Sequence, residues 1–85
     1  MDTVTRYAEL LGWDWHHQFN SIHSKAGWPD LVLVRRDRLV FAEIKRQAGR
    51  MRPEQTYWLD KLRLTGAEVY VWKPSLWWEI EAVLA

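Results

Sequence analysis

Gly27-Trp28-Pro29-Asp30-Leu31-Val32-Leu33-Val34-Arg35-Arg36-Asp37-Arg38-Leu39-Val40-Phe41-Ala42-Glu43-Ile44-Lys45 is the stretch on which the fold turns. It holds two apolar runs, 31–34 and 39–42, separated by four charged residues, and Glu43 and Lys45 close the second. Runs of that length, apolar on both faces, read as central strands of a sheet covered on two sides. The charged residues between them read as a hairpin turn, although no glycine is present to ease a tight one. If the turn is even and centred on Arg36-Asp37, opposed residues have numbers summing to 73. Asp30 then faces Glu43, with Cβ atoms about 4.5–5.5 Å apart. Lys45 shares the face of Glu43, and Ile44 points the other way. A slip of one residue would move Asp30 to the wrong face, so the pairing depends on turn parity.

Charged groups at the ends of core strands are costly to desolvate and need partners. Two carboxylates at this spacing can share a hard divalent cation such as Mg²⁺ or Mn²⁺. A cation there can polarise a phosphodiester oxygen and acidify a bound water, and Lys45 can orient that water or meet the charge on phosphorus. The plainer reading is a salt bridge between Lys45 and one carboxylate at a sheet edge.

Outward from this stretch, Val4, Tyr7, Ala8 and Leu11 fall on one face of a short N-terminal helix that Gly12 stops. Residues 13–17 are a possible short strand, and residues 20–27 read as a polar loop. Pro53 suits the first position of a helix running to Thr65, with Gly66 beyond it. Residues 68–72 alternate as a strand, Pro74 breaks it, Ser75 can cap, and Leu76 to Leu84 form a last helix. The order α-β-β-β-α-β-α gives an α/β protein, a mixed β-sheet flanked by helices.

The chain has 85 residues, enough for one small domain, and no cysteine for a disulfide or a thiolate metal site. No apolar run approaches membrane-spanning length. With no signal-peptide pattern at Met1-Asp2-Thr3, the expectation is a cytoplasmic protein of a bacterial or phage-infected cell. The net charge of +1 conceals an asymmetry. Residues 35–52 carry Arg35, Arg36, Arg38, Lys45, Arg46, Arg50 and Arg52 against only Asp37 and Glu43. Such a cluster is the footprint of a polyanion site, or else a solvated charged loop.

Pro29-Asp30 followed by Glu43-Ile44-Lys45 resembles the PD-(D/E)xK nuclease superfamily. Gly27-Trp28-Pro29-Asp30-Leu31, Ala42-Glu43-Ile44-Lys45, Pro53-Glu54-Gln55 before a tryptophan-containing helix, and the closing strand Gly66 to Pro74 are similar to the VRR-NUC family. The similarity covers about residues 4–84, so that 1–85 reads as a single VRR-NUC-like domain. The resemblance implies a restriction-endonuclease-like core and Mg²⁺- or Mn²⁺-dependent cleavage of DNA. Asp30, Glu43 and the Ile44 carbonyl would hold the metal, Lys45 would serve the water or the scissile phosphate, and Gln55 would order the site. Compact members resemble phage proteins that dimerise and cut branched DNA such as four-way junctions. The family often carries a glutamate at the start of its first helix. Aligning residues 4–12 places that position before Met1, and Glu9 aligns poorly with it.

Phosphate contacts are expected from His17, Lys25, Arg46, Arg50 and Arg52. His16 and His17, adjacent on a strand, point to opposite faces and cannot share a metal. Among seven tryptophans, Trp58 and Trp72 suit the core. Trp77 and Trp78 cannot both face it, and one of them, with Trp13 or Trp15, suits a homodimer interface or an unpaired base. The competing functional reading is a non-catalytic DNA-binding module that retains the nuclease fold. An RNA-directed enzyme or a small protein-interaction domain is a third.

Overall fold

The structure, a computed structural model, describes residues 2–17 and 26–85. Its elements follow the expected order: α1 (Asp2–Leu10), β1 (Asp14–His17), β2 (Leu31–Arg35), β3 (Arg38–Ile44), α2 (Pro53–Leu64), β4 (Glu68–Trp72), a 3-10 turn (Pro74–Leu76) and α3 (Trp77–Leu84). The strands form one sheet in the order β1-β2-β3-β4, antiparallel except for the parallel pair β3–β4 that α2 connects. Most of the loop expected over 20–27 lies outside the described residues.

The β2–β3 register has Arg35 opposite Arg38 and Val32 opposite Phe41, as even parity requires. A two-residue turn achieves it without glycine by placing Arg36 at φ 57°. That left-handed conformation costs an L-residue about 1–2 kcal/mol.

Alternation along the strands divides the sheet into two faces. Leu31, Leu33, Val40, Ala42 and Trp72 pack with Val4 and Ala8 of α1 and with Ile80 and Leu84 of α3. The other face carries α2, whose Leu59 is buried. There Trp28 meets Phe41 and Trp58 edge-on, with ring centroids 5.7 and 5.2 Å apart. Coverage of this second face is partial: the opposed pair Val34 and Leu39, near the turn, are each 42% exposed.

Two arginines of the basic stretch serve the fold. Arg35 donates through Nη1 to the carbonyls of Leu11 (3.0 Å) and Leu84 (3.2 Å), and through Nη2 to that of Ala85 (2.9 Å). Arg38 forms a bidentate pair with Glu68 at 2.7 and 2.9 Å. Both guanidinium groups stand over Trp13, at 4.6 and 5.0 Å from its ring centroid. Trp13 is 3% exposed and donates Nε1–H to Leu84 O, so it is core and not the interface residue expected from sequence. Residues 35–52 are therefore not one polyanion patch. Arg35 and Arg38 are engaged with Trp13, Glu68 and helix ends instead.

Details at both ends of the chain also differ. α1 starts at Asp2, two residues early, and Thr5 Oγ1 donates back to Asp2 O (3.1 Å). Ser75 sits inside the 3-10 turn and does not cap α3. Its N–H donates to Gln47 Oε1 and its Oγ accepts from Gln47 Nε2, both at 2.9 Å.

The N-terminus of α2 closes onto Gly27, which lies at φ 90°. A Cβ there would sit 2.4 Å from the Glu54 carbonyl carbon and oxygen and 2.8 Å from Gln55 N. Trp58 Nε1 donates to Ala26 O (3.1 Å) and ties the same two segments. Gly27→Ala should therefore push α2 off the segment leading to Asp30 and cost about 2 kcal/mol or more. In thermal unfolding the expected result is a Tm lowered by at least about 8 °C.

Candidate active site

Asp30 and Glu43 extend the β2–β3 hairpin beyond its last rung, Leu31 opposite Ala42. They do so by exchanging backbone donors. Asp30 N–H donates to Glu43 Oε1 (3.2 Å), and Ile44 N–H donates to Asp30 Oδ2 (3.0 Å). The buried Pro29 precedes this crossing and offers no N–H of its own. The two acids are thus held face to face across the end of the sheet.

Glu43 is 2% exposed, which is unusual for a carboxylate. Its Oε2 accepts from Gln55 Nε2 and lies 3.3 Å from Lys45 Nζ. Lys45 Nζ in turn donates to Gln55 Oε1 at 2.7 Å. Gln55 is the third residue of α2, and its Oε1 also accepts from Arg52 N–H (2.9 Å), closing half of a capping box. Arg52 caps no helical N–H with its side chain, and the Gln55 side chain satisfies the N–H of Arg52 itself. One amide therefore starts α2, carries Lys45 and braces Glu43. Its orientation is fixed by chemistry: the oxygen meets two donors and the nitrogen meets a carboxylate. An ammonium has three protons, and Lys45 keeps one beyond these two partners.

The carboxyl of Glu43 is pushed above its ordinary 4.5, first by burial and second by the charge of Asp30; its hydrogen bond to Lys45 and the nearby ammonium pull the other way. Between 4.5 and the raised value the native chain binds more protons than the unfolded one. Stability from this group consequently falls as pH rises through that window.

A divalent cation would relieve the same repulsion, and the donors suit one. Asp30, Glu43 and the Ile44 carbonyl are hard oxygen ligands. Among the described residues no group of three or more His, Cys, Asp or Glu side chains converges as a metal site. A site with two carboxylates is the kind Mg²⁺ accepts, with waters and substrate phosphate completing it. Asp2, in the first turn of α1, joins no such group, and Glu9 accepts from Trp15 Nε1 (2.9 Å) instead.

The remaining residues expected at a site are dispersed. Arg46, Arg50 and Arg52 are exposed on the loop from Lys45 to α2. His17 pairs with Leu31, which places it on the α1/α3 face of the sheet, opposite Asp30 and Glu43. His16, paired with Val32, is on the face of the acids. Lys25 lies outside the described residues. Sequence reasoning had Gly27 within the motif but not its close approach to the start of α2. It also missed the Gln47–Ser75 clamp, which joins residues 28 apart and leaves no local trace.

The VRR-NUC domain family profile matches residues 10–75, most of the chain, which belongs to this family of nucleases. A solved VRR-NUC domain is 29% identical with a TM-score of 0.65, the match covering 82% of this chain and 80% of that one. The structure of Archaeoglobus fulgidus Hjc, a Holliday junction resolvase from an archaeal hyperthermophile, is 19% identical. Its TM-score is 0.64, with 86% of this chain and 65% of that chain covered. The latter likeness speaks to fold, and the fold is restriction-endonuclease-like. No curated protein matches the sequence.

The geometry fixes a titration order. In metal-free buffer the Glu43 carboxyl carbon, followed by NMR, should titrate above 4.5. Asp30→Asn should move the midpoint down by removing the neighbouring charge, and Lys45→Ala should move it up. A wild-type midpoint at or below 4.5 contradicts the account.

Proposed function

We propose that this chain is a Mg²⁺- or Mn²⁺-dependent endodeoxyribonuclease that cuts branched DNA, such as a four-way junction, as a homodimer. The observation that carries the reading is the buried Glu43 carboxylate, locked to Asp30 across the hairpin and to Lys45 and Gln55 beside it. The family supports nuclease chemistry. The resolvase fold likeness is the ground for proposing branched DNA.

Asp30, Glu43 and the Ile44 carbonyl would hold the metal, which when bound supplies a Lewis acid and lowers the pKa of a coordinated water. Lys45 donates its remaining proton to a non-bridging oxygen of the scissile phosphate and so stabilises charge that grows toward the transition state. Gln55 acts as a positioning residue, fixing the ammonium and the Glu43 carboxylate relative to each other. Arg46, Arg50 and Arg52 hold flanking phosphates, a contact that salt weakens. Lys25 and His17 are proposed as further phosphate contacts; His17, on the opposite face, would meet only a strand that wraps the sheet edge. Residues 1–85 are proposed to act as one nuclease domain. No helix among the described residues is long and apolar enough to cross a membrane.

With labelled four-way junction, flap and linear duplex DNA in Mg²⁺ or Mn²⁺, wild type should cut the branched forms. Lys45→Ala should lose about 10²–10³-fold in rate. Gln55→Ala, which leaves the ligands but frees Lys45, should lose about 10–100-fold. Salt-sensitive binding without cleavage in either metal would favour the non-catalytic DNA-binding module instead.

The homodimer reading rests on exposed apolar side chains: Val34 and Leu39, and Trp78 at 66% exposure on α3. Light scattering at micromolar concentration should give twice the 10.2 kDa mass of one chain. A single-chain mass would refute it.

A further inference from the structure

On the face of the sheet opposite Glu43, between the start of α1, the end of β4 and α3, lies a cavity of about 490 Å³. Its walls include Ile44, Trp72 and Trp77, and Lys45, Arg46 and Lys73 line it as well, with no acidic side chain among the lining residues. The volume falls in the range of small-molecule sites, about 300–1,000 Å³. Arg46 and Lys73 enter none of the ion pairs among the described residues. Trp77 is half-buried and packs on Tyr7 at an interplanar angle of 59°, with centroids 5.3 Å apart.

We propose that this cavity receives one unpaired base of the DNA substrate, with Arg46 and Lys73 on the phosphates that flank it. An aromatic, apolar pocket rimmed by cations is how proteins take up single-stranded nucleic acid: the base stacks, and the backbone follows the charge. A purely apolar partner would leave the rim cations without counter-charge. Position gives the second argument. Ile44 offers its N–H to Asp30 Oδ2, yet its side chain forms part of the cavity wall. The thickness of one strand separates the cavity from the acids. A DNA strand crossing the end of β3 would lay a phosphate at Lys45 and turn a neighbouring base into the cavity. A base stacked and paired in a duplex cannot make that turn at low cost, whereas one at a branch or bulge can. The inference rests on the nuclease reading and narrows its substrate to DNA with an unpaired nucleotide beside the cut.

The test measures binding of the full chain in EDTA, so that it does not depend on cleavage. The probes are a duplex with one extrahelical 2-aminopurine, the same duplex with an abasic residue there, and the fully paired duplex. Wild type should bind the extrahelical base about five- to tenfold more tightly than the abasic form, with quenched 2-aminopurine emission. Thr3→Trp fills the cavity from an exposed position and substitutes none of Asp30, Glu43, Lys45 and Gln55, of which only Lys45 borders the cavity. It should abolish both the preference and the quenching while Tm stays unchanged. Lys73→Ala should weaken all three probes by a similar factor. Equal affinity for base and abasic probes overturns the proposal, as does a preference that survives Thr3→Trp. A changed oligomeric mass in Thr3→Trp also overturns it, because a second copy would then be the occupant. Cleavage is read separately in Mg²⁺. Cutting without base preference sinks the cavity and spares the nuclease reading, base preference without cutting does the reverse, and absence of any DNA binding sinks both.

Discussion

The buried carboxylate of Glu43 is the constraint from which the rest of this structure follows. A carboxylate at 2% exposure survives only if donors surround it, and here they come from three separate elements. The segment before β2 gives the Asp30 N–H, the end of β3 gives Lys45, and α2 gives Gln55. Each donor fixes a different relationship: hairpin register, side-chain direction along β3, and the height of α2 over the sheet. A fold that failed in any one of them would strip a donor from a buried charge. Folding and site assembly are for this reason the same event.

The polar requirement also explains why the two faces of the sheet differ. The face toward α1 and α3 is closed with aliphatic side chains and Trp72. The face toward α2 is split between an aromatic cluster, the charged end at Glu43 and an uncovered end at Val34 and Leu39. One helix cannot seal a sheet face and also deliver Gln55 to its edge. α2 is committed to the edge by Gly27, against which its first turn rests without a Cβ between them.

Much of this was legible in residues 27–45. Alternation and turn parity place Asp30, Glu43 and Lys45 on one face, because a period of two leaves only two answers and the charges choose between them. Gln55 came from the family resemblance, not from physics, since nothing in its local sequence shows an amide reaching the sheet. The basic stretch misled where charge was read without geometry. Arg35 and Arg38 face the same side as Leu33 and Val40, and there they find Trp13 and Glu68. Trp13 looked like a surface aromatic because the two cations that stand over its ring are more than twenty residues away. The face that His17 occupies was likewise not legible. Its face depends on how β1 pairs with β2, a long-range fact that a short polar strand does not encode.

Arg35 links the chain in a way that reaches beyond packing. Its fork holds the last carbonyls of α3 and, at the same time, the Leu11 carbonyl just past α1. Helix ends normally fray independently, each opening at little cost. Here the ends of two helices more than seventy residues apart share one guanidinium, so loosening either removes a partner from the clamp that restrains the other. Amide hydrogens in the last turns of α1 and α3 should accordingly exchange as a single cooperative unit. A lysine at position 35 could not reproduce this, because a point charge lacks the planar fork that reaches three carbonyls together.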